Sequence, residues 1–337
     1  MTSEILDPGP ALDEPLLILI PVFNDWPSLS KLLDALDATL AEHDLEAGVL
    51  VVDDGSTTTP ADDPTTRTFR ALKHVEILEL RRNLGHQRAI AIGLAFVEDR
   101  GSSAAVVVMD GDGEDDPRDV PRLVAKCREE GGDKIVFAER ARRSESLTFI
   151  AFYNLFKIVH LFLTGYAVRV GNFSIIPRPR LASLVVVSEM WNHYAAAAFK
   201  SRQPFATVPT QRAKRLDGKS KMNFVNLVVH GLSAISVYGE LVGIRLLVVT
   251  MLLILATLAG LVGVVFIRLA TPLAVPGWAT NAGGILLVIL FQALMLSLIF
   301  SFVILGGRQG SAFLPRRDYV YFIGRASGRP ARARGRG

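Results

Sequence analysis

Cysteine is all but absent from this chain. Cys127 stands alone among 337 residues, so no intrachain disulfide can form and a reducing compartment fits. It lies in a helical stretch, Asp119 to Glu130, where it reads as a small buried hydrophobe. A large charge of one sign is also missing: the formal net charge is +4, which gives no reason to expect a nucleic-acid partner. No basic segment followed by an apolar one opens the chain. Residues 1–15 are acidic and carry Pro and Gly, which predicts a disordered leader and not a signal peptide. Two phosphate-binding signatures are lacking as well. No Gly-x-Gly-x-x-Gly follows the first strand-like run, which argues against a dinucleotide dehydrogenase, and no Gly-x-x-x-x-Gly-Lys occurs, which argues against a P-loop enzyme.

What is abundant is apolar sequence. Half the residues are apolar while a fifth are charged, an average that hides two unlike parts. Up to about Val242 charge and apolar residues mix as they do in soluble domains. Beyond it, Leu246 to Ile267 and Gly284 to Leu305 are runs of 22 residues each without a charge, Gln292 being the only strongly polar side chain in the second. At about 1.5 Å per residue each run covers about 33 Å, enough for a hydrocarbon core of about 30 Å. The connecting turn (Pro272, Pro276, Gly277, Trp278) has a single cation, Arg268, at its edge, whereas eight arginines lie between Arg308 and Arg336 and Arg245 precedes the first run. The excess of cytoplasmic arginine expected for short loops puts both ends in the cytoplasm and the turn outside. Leu147 to Ala167 and Met222 to Val242 are apolar with scattered polar residues, the pattern of helices lying at a lipid interface; core packing is the alternative.

The N-terminal part alternates short β-branched runs (Leu16–Ile20, Val49–Val52, Val75–Leu80, Ala105–Met109, Ile135–Ala138) with helical patterns (Ser28 to Ala41, Gln87 to Val97, Asp119 to Glu130). This predicts an α/β fold with a mainly parallel sheet and helices on both faces. Ligands in such folds bind at the carboxyl ends of the strands. The residues found there are Pro21-Val22-Phe23-Asn24-Asp25, Asp53-Asp54-Gly55-Ser56, Arg81 to His86, and Asp110 to Asp116. Acidic loops make poor phosphate cradles unless a divalent cation bridges carboxylate and phosphate. Asp110 and Asp112, with Glu114 as a third oxygen, have the hard-ligand chemistry for such a cation. Asp115, Asp116 and Asp119 before Pro121 read as a turn.

Taken together, these motifs resemble a family 2 glycosyltransferase of the GT-A fold. They are Pro21 to Asp25, Val51-Val52-Asp53-Asp54-Gly55-Ser56, Asn83-Leu84-Gly85 with Gly93, and the Asp110-Gly111-Asp112 form of Asp-x-Asp. With two C-terminal spans and Arg215-Leu216-Asp217-Gly218-Lys219-Ser220-Lys221, the chain is similar to bacterial polyprenyl-phosphate glycosyltransferases, relatives of dolichyl-phosphate mannose synthase. The resemblance implies a donor pocket of Pro21, Phe23, Asp25, Asp53, Asp54, Gly85 and Asp110, with Asp54 accepting from the base. It implies a Mg2+ or Mn2+ ion on Asp110, Asp112 and Glu114. Arg140, Lys157, Arg215, Ser220, Lys221 and His193 would meet phosphate or acceptor, and Asp112, Arg140 and Arg215 would carry the catalysis. The basic residues around Arg215 also suit anionic lipid, and His193 suits either proton transfer or a structural hydrogen bond. Departures are Asn154 in place of a second Arg, and Gly171-Asn172-Phe173-Ser174 in place of Gly-Phe-Arg. The Gln-x-x-Arg-Trp of processive synthases is missing.

The expected organisation is a leader (1–15), a GT-A domain (16–221), a juxtamembrane amphipathic helix (222–243), a transmembrane hairpin (244–305) and an Arg-rich cytoplasmic tail (306–337). The expected activity is inverting transfer of one sugar from a nucleotide-sugar to polyprenyl (undecaprenyl) phosphate at the bacterial inner membrane; self-association stays open. Two alternatives are a transferase acting on a glycolipid hydroxyl, with Asp115, Asp116 or Glu189 as base, and a non-catalytic nucleotide-sugar-binding scaffold.

Overall fold

The computed structural model describes residues 16–101, 103–140, 157–165, 170–218, 224–271, 277–309 and 313–327. In chain order the elements are β1 (Leu16–Val22), α1 (Trp26–Glu42), β2 (Ala47–Asp53), β3 (Leu72–Leu80), α2 (His86–Arg100), β4 (Ala105–Val108), α3 (Val120–Glu129) and β5 (Ile135–Arg140). A helix over 157–164 (α4) follows, then β6 (Val170–Pro177), α5 (Arg178–Leu184), α6 (Tyr194–Lys200), β7 (Phe205–Thr210) and α7 (Phe224–Ser236). The chain continues with α8 (Gly239–Ala270), α9 (Trp278–Gln309), α10 (Pro315–Asp318) and β8 (Ile323–Ser327). They form two compact units, one built on the sheet and one containing α4, α8 and α9.

The sheet has eight strands in the order β7-β5-β6-β4-β1-β2-β3-β8. Strands β1 to β4 pair in parallel, as the alternation of strand and helix predicts. The sheet as a whole is mixed, because β6 lies antiparallel between β4 and β5, and β8 lies antiparallel against β3. Both faces are covered, which is why β1 and β2 read as nearly continuous apolar runs and not as alternating ones. Along β2, Val49 and Val51 enter one core with Leu32, Leu36 and Val124 of α1 and α3, while Leu50 and Val52 enter the other with Ile90 and Leu94 of α2. Helix α2 lies so close to the sheet that a Cβ at Gly93 would come within 2.7 Å of Leu19 and Val52 side-chain carbons.

The carboxyl ends of β1, β2, β3 and β4 share one edge of the sheet, joined there by the ends of β5 and β7, which run in the same direction. The order reverses at β1: β2 and β3 lie on one side and β4 on the other. That switch point is where a crevice opens in sheets of this kind.

The stretch expected as an Arg-rich tail is in part folded structure. Residues 323–327 add β8 to the sheet, and Arg316 pairs with Glu98 (2.6 Å) and Asp99 of α2. Tyr319 is buried and donates to Asp99 Oδ2 (2.9 Å). Isolated arginines read as solvated cations in a sequence; here two opposing carboxylates on α2 take up one of them.

In the second unit α8 and α9 form an antiparallel hairpin. A Cβ at Gly243 would meet Ile304 at 2.6 Å, and one at Gly260 would meet Leu286 at 3.4 Å. Both helices are apolar along most of their length and bury little of that apolar surface. By length and composition both can cross a bilayer. Thr250 and Thr257, on the buried stripe, return their hydroxyls to Leu246 O (3.0 Å) and Leu253 O (2.7 Å), so the stripe carries no unsatisfied donor.

Candidate functional site

The loop after β1 turns sharply at Asn24, whose φ is 50°. A left-handed turn suits Asn because its short amide can bond locally. The Asn24 amide oxygen accepts from Thr57 N (2.9 Å) and Thr58 N (3.1 Å), and Asn24 N–H donates to Ser56 Oγ (2.9 Å). The loops after β1 and β2 are thereby joined. Phe23 is left 42% exposed at this edge, an aromatic face with no core to enter. Pro21 is buried.

Asp53 and Asp54 divide their work. Asp53 Oδ1 accepts from Ser56 N–H (2.9 Å) and holds the turn. Asp54 is buried, and its two oxygens accept from Leu84 N–H (2.7 Å) and Gly85 N–H (2.8 Å). Burial raises the Asp54 pKa against the pull of those two bonds. Asp54, expected to accept from a base, here holds the loop after β3 against the loop after β2. Gly55, at φ 71°, lies where the two loops meet: a Cβ would come within 2.6 Å of the Arg82 carbonyl carbon and of Asn83 N.

The acidic loop after β4 is met by cations of the chain itself. Asp110 Oδ1 lies 3.0 Å from His86 Nε2, and its N–H donates to Asp115 Oδ2 (3.0 Å). Asp112 Oδ2 lies 3.0 Å from Arg215 Nη1, and its Oδ1 accepts from Glu114 N–H (3.0 Å). Arg215 also reaches Asp25 through Nη2, and Glu114 pairs with Arg212. Burial and then the Asp110 carboxylate raise the Asp112 pKa, against Arg215 and Arg212, which lower it. Packing around the His86 ring opposes its charge, but Asp110, Asp115 and Asp112 outweigh that and raise its pKa.

These residues fit a divalent cation in part. Burial first and the Asp110 charge second raise the Asp112 pKa, and a dication held by the two carboxylates would offset both. Glu114 is turned to Arg212, and among the described residues no three His, Cys, Asp or Glu side chains converge as a metal-holding group. Two carboxylates with substrate oxygens completing the shell are therefore the arrangement that suits this loop.

The strand β5 ends at Arg140, whose side chain is outside the described residues, as are Ser220 and Lys221. Lys157 sits on α4 in the second unit. His193 is buried and caps α6, its Nδ1 accepting from Ala196 N–H (3.4 Å). Sequence reading put His86 among the strand-end loops and Asn172 among the departures, but assigned no role to either or to Arg212. Asn172 Nδ2 lies 3.0 Å from His86 Nε2, and Gln87 Nε2 donates to Asn172 Oδ1 (3.2 Å). The departure at Gly171 to Ser174 was the available signal, since an amide there needs a polar partner.

Residues 17–179 match the model of the family described as glycosyl transferase family 2, and this stretch is a domain of that family. Relatives include the undecaprenyl-phosphate 4-deoxy-4-formamido-L-arabinose transferases of Klebsiella pneumoniae subsp. pneumoniae, 28% identical over 217 residues, and of Salmonella dublin, 26% identical over 215 residues. Each match covers 63% of this chain and 63% of the relative, so the chain spans less than two thirds of the length of the curated relatives it matches. Among solved structures, glucosyl-3-phosphoglycerate synthase from Mycobacterium tuberculosis, in complex with Mn2+, UDP-glucose and phosphoglyceric acid, is 17% identical with a TM-score of 0.49, covering 68% of this chain and 80% of that one.

Proposed function

We propose that the chain is a membrane-bound, inverting glycosyltransferase that moves one sugar from a nucleotide-sugar to a polyprenyl phosphate such as undecaprenyl phosphate. The observation that carries this reading is the meeting of Asp25, Asp112 and Arg215, with Asp110 beside them, at the carboxyl edge of the sheet of a family 2 glycosyltransferase domain. The relatives' names supply the lipid phosphate.

In this reading the exposed ring of Phe23 stacks on the base, and Asp110 and Asp112 hold Mg2+ or Mn2+ together with donor diphosphate oxygens. When bound, the cation neutralises charge building on the leaving nucleoside diphosphate. Arg215 adds charge-assisted donors on the same side. A phosphate acceptor is already anionic near pH 7 and needs no strong base. The carboxylates a hydroxyl acceptor would require already have partners within the fold. Glu189 pairs with Lys200 (2.6 Å), which holds its carboxyl below the ordinary value although burial opposes this. Asp116 pairs with Arg118 (2.6 Å), and Asp115 accepts from Asp110 N–H. This favours the lipid-phosphate acceptor over a glycolipid hydroxyl.

The same reading places the sheet domain in the cytoplasm and α8 and α9 across the inner membrane. Support comes from β8, which pairs with β3 in the unit that precedes α8. A chain that leaves that unit before α8 and rejoins it after α9 crosses a membrane an even number of times. Exposed Ile158, Leu161 and Phe162 on α4, and Val229 and Leu232 on α7, suit helices lying at the lipid interface.

The test uses membranes containing the full chain, undecaprenyl phosphate, a divalent cation and a panel of labelled UDP- and GDP-sugars. One lipid-extractable product, labile to mild acid as a glycosyl phosphate is, is expected. Label on a hydroxyl lipid would reject the acceptor; no transfer from any donor would favour the non-catalytic scaffold.

A further inference from the structure

The segment after β7 is bound along the acidic loop. Ala213 N–H donates to Glu114 O (3.0 Å) and Leu216 N–H donates to Asp112 O (3.0 Å). The Leu216 side chain covers Gly113, where an added Cβ would meet it at 2.4 Å. Arg215 closes this contact. Its side chain is 15% exposed, and its Nε donates to Asp217 O (2.8 Å) while the two terminal nitrogens take Asp112 and Asp25. The guanidinium thus occupies one of the two carboxylates that the proposed cation requires.

A free divalent cation entering this site meets a positive charge already seated between Asp25 and Asp112. To reach Asp112 Oδ2 it must take that oxygen from Arg215 and leave a largely buried guanidinium beside a dication. Like charges at such distances in a partly desolvated site repel strongly. A nucleoside diphosphate changes the balance, because its oxygens are anionic acceptors for both cations. We infer that Arg215 is the resident counter-ion of the cation site, and that cation and diphosphate are taken up together, Arg215 exchanging Asp112 for a diphosphate oxygen. This rests on the cation reading given under the proposed function.

The experiment measures Mn2+ binding by electron paramagnetic resonance on the full chain in detergent, for wild type and Arg215→Gln, alone and with UDP or GDP. Without nucleotide, the variant should bind Mn2+ roughly tenfold more tightly than wild type, the equivalent of one lost charge-assisted contact. With the nucleotide that the wild type takes up, the order should reverse, because the variant lacks the diphosphate partner. A damaged fold would weaken both, so the change of sign identifies the exchange. If the variant binds Mn2+ alone no more tightly than wild type, while wild type binds it with nucleotide, the exchange is wrong and the cation site stands. If wild type takes up no Mn2+ with either nucleotide, the cation reading falls and the exchange with it.

Discussion

Asp112→Asn separates catalysis from stability, and the structure predicts both magnitudes. The amide keeps the shape of the side chain, and its oxygen can still accept from Glu114 N–H (3.0 Å). Its NH2 group would face Arg215 Nη1, now 3.0 Å from a carboxylate oxygen, and one charge-assisted bond worth about 1.5–3 kcal/mol is lost. Against this, ionised Asp112 is already disfavoured by burial and by Asp110, and the neutral amide removes both penalties. The two effects oppose each other, so the loss of stability should stay below the about 1.5–3 kcal/mol of the bond alone, less than roughly 10 °C in a domain of this size. Catalysis has no such compensation. Removing one preorganised electrostatic contribution at developing charge costs about 3 kcal/mol or more, at least two orders of magnitude in rate. Transfer of labelled sugar to undecaprenyl phosphate reads the second number, and thermal unfolding in detergent reads the first. Turnover within tenfold of wild type would refute the role of Asp112. A fall of 10 °C or more in melting temperature would show that its charge supports the fold instead.

Gly55→Ala should destabilise the sheet domain by at least about 2 kcal/mol, because a left-handed φ and a 2.6 Å approach to the Arg82–Asn83 backbone leave a Cβ no room; an unchanged melting temperature would contradict this. Reporter fusions at the N-terminus and after Ser327 should both report cytoplasm and one at Gly277 the outside, and a split between the two ends would overturn the two-crossing arrangement. Glu130 is held down at about 2 by hydrogen bonds from Lys126 and Lys134. A depressed carboxyl stabilises the fold above its ordinary value of 4.5 and loses that contribution as pH falls towards 2, so Glu130→Gln should flatten the pH dependence of unfolding in this window. An equally steep acid limb in the variant would count against the pairing.

Local pattern was enough for the elements that repeat a period. The apolar runs of β1 to β5, the leucine stripe of α1 and the two long apolar helices are each legible from their own residues, because burial on a strand or helix face leaves its spacing in the chain. The position of the candidate site was legible for a related reason: polar and glycine-bearing residues after successive parallel strands must share one edge. β8 was not legible. Ile323-Gly324-Arg325-Ala326-Ser327 is short and carries a charge, and it becomes a strand only because β3 offers an unpaired edge.

By itself, then, the sequence determined the α/β class, the apolar hairpin and the set of loops that could carry chemistry. Only the tertiary structure decided which charges meet. Arg215 lies 190 residues from Asp25 and 103 from Asp112, yet it pairs with both. His86 finds Asp110 and Asn172, Arg212 takes Glu114, and Asp54 is drawn to the backbone of Leu84 and Gly85. Coulomb attraction depends on distance in space and on the surrounding dielectric, and neither is written in the spacing of residues along a chain.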